Sequence, residues 1–286
     1  MNAMLKLAAR YPGKRVLITG ATSGLGEALA LLFAGAGFRV AVASRNAAKV
    51  AATVARVEQA GGSGLGISLD VTRVLDFESA AAQVEQAWGG LDILVNNAGV
   101  ITAGTLQDVG LDVWQQSMET DLWSVIHGCR LFVPLLEQSG GGHIVNVASA
   151  AGLLSGPDRA TYNVAKAGVI CLSETLRVEL ADKHIDVTVS CPTVFKSHLL
   201  DQQGHEGDVV EGVTAKGLSR DMATTHISSD DVARSLIRAM ARRRMYDLPQ
   251  RDARLNWWLA RTFPETFRKI ILYMYRHRLW IFRSGN

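Results

Sequence analysis

A tyrosine and a lysine four residues apart, Tyr162 and Lys166, are the first candidates for chemistry in this sequence. Residues at that spacing share one face of a helix. A phenol has an ordinary pKa of about 10, and a nearby ammonium favours the phenolate and lowers that pKa. The pair therefore predicts a tyrosine that transfers a proton near neutral pH. Ser149, thirteen residues earlier, offers a hydroxyl that could hydrogen-bond the reacting oxygen.

A glycine-rich turn follows the first apolar run of the chain. It reads Thr19-Gly-Ala-Thr-Ser-Gly-Leu-Gly26, and a helical pattern begins within it. Glycines let the backbone approach a pyrophosphate closely, and a helix N-terminus offers unpaired N–H groups to an anion. Such a turn after the first strand of a β–α–β pattern indicates a dinucleotide site.

Short β-branched runs alternate with helical segments along most of the chain, which predicts a parallel sheet covered by helices on both faces. The expected fold class is therefore α/β, a doubly wound Rossmann sheet. We expect strands over 15–19, 39–43, 64–69, 91–95, 143–148 and 186–190. We expect helices over 24–36, 47–59, 77–88, 111–136 and 160–183, and from Ser228 or Ser229 to about Arg243.

The domain organisation is predicted to be one Rossmann domain, residues 1–250, with a helical C-terminal extension, residues 251–286. Within the domain, the polar and glycine-containing residues 196–228 interrupt the strand–helix pattern. We interpret them as a mobile lid over a substrate site.

The chain resembles the single-domain branch of the short-chain dehydrogenase/reductase family over roughly residues 13–250. Five features carry the resemblance: the TGxxxGxG turn, Asn96-Asn97-Ala98-Gly99, Ser149, the YxxxK pair and Cys191-Pro192. Taken singly, Tyr162 would fit a core position, Lys166 a solvated one and Ser149 a turn. Together at the family's spacing they favour catalysis, and they imply a nicotinamide-dependent oxidoreductase.

The resemblance also implies individual roles. The catalytic residues would be Ser149, Tyr162, Lys166 and Asp121. The cofactor would contact Gly20, Thr22, Ser23, Gly24, Leu25, Gly26, Ser44, Arg45, Asn46, Asp70, Val71, Asn97, Ala98, Gly99, Tyr162, Lys166, Pro192, Val194 and Ser197. The substrate pocket would include Ala151, Leu153, Leu154, Phe195 and Leu199. No metal site is expected, because the sequence has no Cys/His cluster.

Asp121 departs from the family pattern, which has an asparagine in the stretch that here reads Thr120-Asp-Leu-Trp-Ser-Val125. In relatives this residue anchors a water beside the lysine, largely through its backbone carbonyl, and that role could survive. A carboxylate could instead pair with Lys166, raise the lysine's pKa and weaken its effect on Tyr162. Pro192-Thr193, where the family has Pro-Gly, is a milder departure.

The end of the second strand bears on the choice of cofactor. NAD-preferring relatives usually have an aspartate there, which bonds the ribose 2′-hydroxyl. This chain has Ser44-Arg45-Asn46, and a guanidinium suits a 2′-phosphate. We therefore expect NADP(H) rather than NAD(H), although Arg45 could also stack on adenine in an NAD enzyme.

Composition excludes several classes of protein. The 286 residues are 48% hydrophobic and 20% charged, which is typical of a globular domain rather than a disordered chain. The three cysteines are scattered, so we expect buried free thiols in a reducing compartment. No apolar run is long enough for a signal peptide or a spanning helix, and the expected compartment is the cytoplasm.

The C-terminal extension is basic and aromatic. Residues 251–286 hold eight Lys or Arg against two acidic residues, a net charge of +6. The favoured interpretation is a helix that packs on the domain or on a partner subunit, split in two by Pro264. A peripheral membrane-surface helix is the second interpretation. Nucleic-acid binding is disfavoured because no nucleic-acid fold accompanies the pattern.

The function expected from the sequence is hydride transfer between NADP(H) and a hydrophobic ketone or secondary alcohol. A β-ketoacyl carrier-protein reductase is one alternative. A catalytically weak NADP(H)-binding sensor or scaffold is the other, because Asp121 could impair turnover. By analogy with the family, the chain is expected to form a homodimer or homotetramer through its two long helices.

Overall fold

The computed structural model describes residues 2–196 and 224–279, and within these ranges it contains seven strands. The strands are β1 Arg15–Thr19, β2 Arg39–Ser44, β3 Ser63–Ser68, β4 Ile93–Asn96, β5 Gly142–Val147, β6 Ile185–Ser190 and β7 Tyr246–Asp247. They form one sheet in the order β3-β2-β1-β4-β5-β6-β7, and every pair is parallel. The predicted parallel α/β sheet is confirmed.

Helices connect the strands and cover both faces of the sheet. They are α1 Ala3–Arg10, α2 Gly24–Ala34, α3 Ala47–Gln59, α4 Val74–Trp88, α5 Leu111–Met118, α6 Ser124–Gln138, α7 Ala150–Leu154, α8 Ala160–Glu179, α9 Ser229–Ala241, α10 Arg251–Thr262 and α11 Pro264–Arg276. The short elements α1, α7 and β7 were not predicted from the sequence. The predicted helix over 160–183 ends at Glu179, and a 3₁₀ turn, Ala181–Lys183, follows it.

The buried residues form two apolar clusters, one on each face of the sheet. Successive side chains of a strand point to opposite faces, so Leu17 belongs to one cluster while Val16 and Ile18 belong to the other. This accounts for the nearly continuous apolar strands in the sequence. The expectation of buried thiols holds for Cys129 and Cys191 but is wrong for Cys171, which is exposed on the solvent side of α8.

The long helix predicted over 111–136 is interrupted at its centre. α5 runs into a π-helical turn, Glu119–Trp123, and α6 continues from Ser124. A π-helical turn holds about one residue more than an α-helical turn, so the side chains before and after it are rotated relative to one another. Such turns are often found at functional sites. Asp121 lies in this turn and is completely buried.

The C-terminal extension packs on the domain as two helices that meet at Pro264, as predicted. Ala253 and Phe267 are its buried contacts. Arg268 donates a hydrogen bond to the carbonyl oxygen of Leu154 at 2.6 Å, and the Tyr275 hydroxyl lies 2.9 Å from a carboxylate oxygen of Asp158. The extension therefore contacts the loop between α7 and α8. No helix within the described ranges is long and apolar enough to cross a membrane.

Candidate active site

A cleft of about 390 Å³ opens at the carboxyl ends of the central strands. The chain runs outward from β1 to β3 on one side and resumes with β4 on the other. The connections after β1 and β4 therefore diverge, which leaves a crevice at the point where ligands bind in such sheets.

The glycine-rich turn forms one wall of this cleft. Gly20 has a φ of +63°, a left-handed conformation that favours glycine. A Cβ on Gly26 would lie 2.3 Å from the carbonyl oxygen of Gly20, so a larger residue would force the turn open. The amide of Asn97 donates to the carbonyls of Thr19 and Gly20 at 2.9 and 3.2 Å, which fastens β4 to the turn.

The turn fits a dinucleotide pyrophosphate. The close approach at Gly26 leaves no room for a side chain there, so the backbone of the turn stays accessible to a ligand. Helix α2 begins inside the cleft, and Gly24 and Leu25 line it. The N–H groups at that helix start and the positive end of its dipole favour an anion there.

Polar residues at the ends of β2 and β3 line the far part of the cleft. The Thr22 and Ser44 hydroxyls are 3.2 Å apart, and Arg45 lies beside them. Asp70 and Val71 also line this part. Asn46 is not in the cleft lining; its side chain caps α3 by accepting a hydrogen bond from the Lys49 amide at 2.9 Å.

Ser149, Tyr162 and Lys166 all line the opposite part of the cleft. Ser149 lies two residues after the end of β5 and caps the N-terminus of α7, where its Oγ accepts a hydrogen bond from the Ala151 amide at 3.1 Å. Tyr162 and Lys166 come from neighbouring turns of α8, and the lysine nitrogen lies 5.6 Å from the centre of the tyrosine ring. The residues chosen by sequence spacing are therefore brought together in space.

Asp121 reaches the same place from the π-helical turn. Its Oδ1 lies 3.0 Å from Lys166 Nζ and accepts a hydrogen bond from the Val100 amide, also at 3.0 Å. Both side chains of this ion pair are buried. Gly99 is adjacent, and a Cβ there would lie 2.6 Å from Asp121 Oδ1. The pairing that the sequence analysis considered for this carboxylate is therefore present.

Burial decides the protonation of these groups. It raises the pKa of Tyr162 above the ordinary value; Lys166 acts to lower that pKa, whereas Asp121 acts to raise it. Burial is the largest influence on Lys166 and acts to lower its pKa, but the charge and hydrogen bond of Asp121 together with the charges of Tyr162 and Cys191 outweigh it, so the pKa is raised. In the protein alone, desolvation disfavours the phenolate more than the paired ammonium favours it. The lowered tyrosine pKa expected from the sequence also depends on a positive nicotinamide ring beside Tyr162, so it stays a prediction for the cofactor complex.

Most of the predicted cofactor residues line the cleft. They are Gly20, Thr22, Ser23, Gly24, Leu25, Ser44, Arg45, Asp70, Val71, Asn97, Ala98, Gly99, Tyr162, Lys166, Pro192 and Val194. Gly26 lies behind the turn rather than in the lining. Ser197, Leu199 and residues 197–223 of the predicted lid lie outside the described residues.

The lining of the cleft includes only part of the set predicted for the substrate pocket. Phe195 lines the cleft, whereas Ala151, Leu153 and Leu154 are not among its lining residues. Leu153 and Leu154 pack against the hydrophobic core on the side of α7. Sequence reasoning missed Ile101, Gln116, Glu119, Thr120 and Arg159, which do line the cleft. Arg159 could have been found, since it precedes Tyr162 by three residues and so lies on the same helix face.

Comparison with known proteins agrees with this geometry. The family model described as short chain dehydrogenase matches residues 14–207. The chain belongs to the short chain dehydrogenase family. It is accordingly an NAD(P)-dependent oxidoreductase that acts on an alcohol or a ketone.

Relatives in this family illustrate its range. A 3β-hydroxysteroid dehydrogenase of Mediterraneibacter gnavus is 38% identical over 64% of this chain and 66% of its own length, just under two thirds. A D-β-hydroxybutyrate dehydrogenase of Rhizobium meliloti is 33% identical over 70% of this chain and 79% of its own. The solved structure of a short-chain dehydrogenase/reductase of Burkholderia phymatum, in complex with NAD, is 30% identical in sequence to this chain. The two superpose with a TM-score of 0.80 over 88% of this chain and 94% of the Burkholderia phymatum chain.

Proposed function

We propose that the protein is an NADP(H)-dependent oxidoreductase that transfers a hydride between nicotinamide and a hydrophobic ketone or secondary alcohol. The observation that carries this proposal is the convergence of Ser149, Tyr162 and Lys166 on one cleft that also contains the glycine-rich turn. Bound nicotinamide would supply or accept the hydride. The protein must then hold the substrate oxygen and move one proton.

Each of the three residues has a separate task in this proposal. The Ser149 hydroxyl hydrogen-bonds the substrate oxygen and stabilises charge that develops on it. Tyr162 supplies the proton in reduction and removes it in oxidation. Lys166 orients the nicotinamide ribose and stabilises the phenolate by its charge. A buried tyrosine with a raised pKa keeps its proton at neutral pH, as a proton donor to a ketone requires.

NADP(H) is favoured over NAD(H) by the residues after β2. Ser44 and Arg45 line the cleft where the adenosine ribose of a dinucleotide on the glycine-rich turn would lie. A guanidinium can hold a 2′-phosphate by paired, charge-assisted hydrogen bonds. The solved relative from Burkholderia phymatum contains NAD. The proposed preference for NADP(H) therefore rests on Ser44 and Arg45 of this chain and not on that relative.

A hydrophobic substrate is favoured by the lining near Tyr162. Val100, Ile101, Val194 and Phe195 are among the apolar residues that line the cleft. The Mediterraneibacter gnavus relative is named for a steroid and the Rhizobium meliloti relative for a small hydroxy acid. The apolar lining is closer in character to what the first of these would need.

A homodimer or homotetramer is favoured by apolar side chains exposed on the long helices. Leu111 and Trp123 are 86% and 50% exposed at α5 and the π-helical turn, and Val164 and Val178 are 50% and 78% exposed on α8. Exposed apolar side chains on these helices would be covered in a subunit contact. Light scattering on the wild type and on Val178→Glu should show an oligomer and its weakening.

A catalytically weak NADP(H)-binding protein is the second candidate. The observation that favours it is the buried ion pair between Asp121 and Lys166, which neutralises the charge that would otherwise favour the phenolate. This candidate predicts dinucleotide binding without turnover.

The experiment that tests the proposal follows NADPH oxidation with a panel of apolar ketones and aldehydes. We expect turnover in the wild type and a loss of about 10²–10⁴-fold in Tyr162→Phe. NADPH binding, measured by fluorescence, should stay unchanged in that variant. Binding without turnover in the wild type, with turnover appearing in Asp121→Asn, would replace the enzyme proposal by the second candidate.

A further inference from the structure

A second cavity, of about 510 Å³, lies between α9, β7 and α10. Among the described residues, it shares no lining residue with the catalytic cleft. Its volume is within the range of sites that hold small ligands. The proposed oxidoreductase chemistry makes no use of it.

The two helices present matching faces to this cavity. The first set is Ser235, Arg238 and Ala239 of α9 with Arg242, the residue that caps the end of that helix. The second set is Arg254, Trp257, Trp258 and Arg261 of α10. Each set follows the spacing i, i+3, i+4, i+7, which keeps its members on one helix face. Arg244 adds a fifth guanidinium to the lining, just before β7.

Among the described residues, five guanidinium groups line the cavity against one carboxylate, Asp247, whose charge interacts with Arg254 and Arg238. Within the part of the chain that the structure describes, no salt bridge involves Arg238, Arg242, Arg244, Arg254 or Arg261. The one carboxylate in the lining, Asp247, is buried and accepts hydrogen bonds from Ser190 at 2.9 Å and Ser235 at 2.7 Å. Like charges gathered in one concave surface repel one another, and an anion that enters relieves the repulsion.

Two of the arginines are held in place before any ligand binds. Arg254 donates to the carbonyl oxygen of Leu248 at 2.6 Å. The Arg261 guanidinium lies 5.3 Å from the centre of the Trp257 ring, and that ring in turn contacts Tyr246 at 5.0 Å between centres. A guanidinium fixed in this way loses less side-chain entropy when it binds.

We propose that this basic cavity is a second ligand site, which takes a phosphate-bearing group joined to an apolar or planar one. Arginine forks match phosphate oxygens in paired hydrogen bonds. Trp257 and Trp258 provide a flat apolar wall beside them. The same chemistry would accept a soluble phosphate compound or the headgroup of an anionic phospholipid. Trp258 is 55% exposed and Leu255, on the same helix, 58% exposed, so a lipid surface could reach the rim.

The test compares three proteins with two probes. The proteins are the wild type, the cavity variant Arg242→Gln/Arg261→Gln, and the matched control Arg39→Gln/Arg130→Gln, which loses two exposed positive charges elsewhere. The probes are inorganic pyrophosphate by calorimetry, and phosphatidylglycerol against phosphatidylcholine vesicles by co-sedimentation. All three proteins keep the glycine-rich turn, so a difference between the two variants belongs to the cavity.

We expect the cavity variant to bind at least one probe about tenfold or more weakly than the control, because charge-assisted hydrogen bonds to two arginines are lost. Loss with pyrophosphate alone identifies a soluble phosphate ligand, and loss with phosphatidylglycerol identifies a lipid headgroup. Equal binding by both variants, or no binding by the wild type, overturns the proposal.

NADPH oxidation should be unchanged in the cavity variant, which separates this result from the oxidoreductase proposal. If the double variant unfolds, Arg238→Gln at the exposed side of α9 repeats the test.

Discussion

The carboxylate of Asp121 lies 3.0 Å from the ammonium nitrogen of Lys166, and both side chains are buried. Taking two charges out of water costs several kcal/mol each, and only close pairing offsets that cost. The pair joins the π-helical turn to α8, the helix that carries Tyr162. It therefore bears on both the stability of the site and the proton affinity of the tyrosine.

Removal of the Asp121 charge should shift the pH dependence of alcohol oxidation to lower pH. Asp121 acts to raise the pKa of Tyr162, and oxidation requires the phenolate as base. In Asp121→Asn the phenolate forms at lower pH, so the acid limb of the kcat profile moves in that direction. The exposed substitution Asp182→Asn is the matched control and should leave the profile in place. An unchanged acid limb in Asp121→Asn would show that the carboxylate does not influence Tyr162.

Asp121→Ala should destabilise the protein more than an ordinary surface change does. It leaves the Lys166 ammonium buried without its partner, which costs about 3–5 kcal/mol. The measurement is urea unfolding at pH 7. Asp121→Leu/Lys166→Met removes both charges and should recover part of that loss. If the double variant is less stable than Asp121→Ala, the unpaired charge is not the cause.

Arg45→Ala should weaken NADP⁺ binding and spare NAD⁺ binding. The loss of a charge-assisted hydrogen bond to the 2′-phosphate corresponds to roughly ten- to a hundredfold in the dissociation constant. Calorimetric titration of both dinucleotides measures the two constants, with exposed Lys49→Ala as control. Equal weakening of both would mean that Arg45 stacks on the adenine instead.

Tyr275→Phe should loosen the C-terminal extension from the loop before α8. The change removes the hydrogen bond to Asp158 at 2.9 Å and costs about 1 kcal/mol. Thermal unfolding measures the effect. Tyr273→Phe, two residues away on the exposed side of α11, should leave the midpoint unchanged. Equal midpoints for the two variants would contradict a role for the contact.

His143 should make the protein less stable in acid. Burial lowers its pKa to about 3, and its ring contacts the hydroxyls of Tyr11 and Thr188 at 3.2 and 2.8 Å. As the pH falls, His143 binds a proton near pH 6.5 in the unfolded chain but only near pH 3 in the folded chain. Stability therefore falls as pH drops through that window, by up to about 1.4 kcal/mol per pH unit.

Urea unfolding midpoints between pH 4 and pH 7 measure this slope. His143→Gln cannot take up the proton, so its slope should be shallower even though its stability at pH 7 is lower. His184→Gln replaces an exposed histidine and should keep the wild-type slope. A wild-type slope in His143→Gln would place the acid sensitivity elsewhere.

The sequence by itself determined the first six strands of the sheet and many of the residues that line the cleft. Strand and helix periodicities are local, and so are the glycine-rich turn and the spacing of Tyr162 and Lys166. Local patterns can be recognised without knowledge of tertiary contacts. The order of the elements and the convergence of Ser149, Tyr162 and Lys166 could therefore be predicted. The break at Pro264 was legible for the same reason, because proline lacks the N–H that a helix interior needs.

The tertiary structure alone decided what depends on burial and on distant partners. The sequence allowed Asp121 either to pair with Lys166 or to act through its backbone, and only the packing of the π-helical turn against α8 selected the pair. Spacing showed that Lys166 lies near Tyr162, but it could not show that burial raises the pKa of Tyr162 in the protein alone, because desolvation depends on the whole surrounding fold. The basic cavity was equally hidden: its arginines lie on two helices, and only their docking gathers the charges into one site.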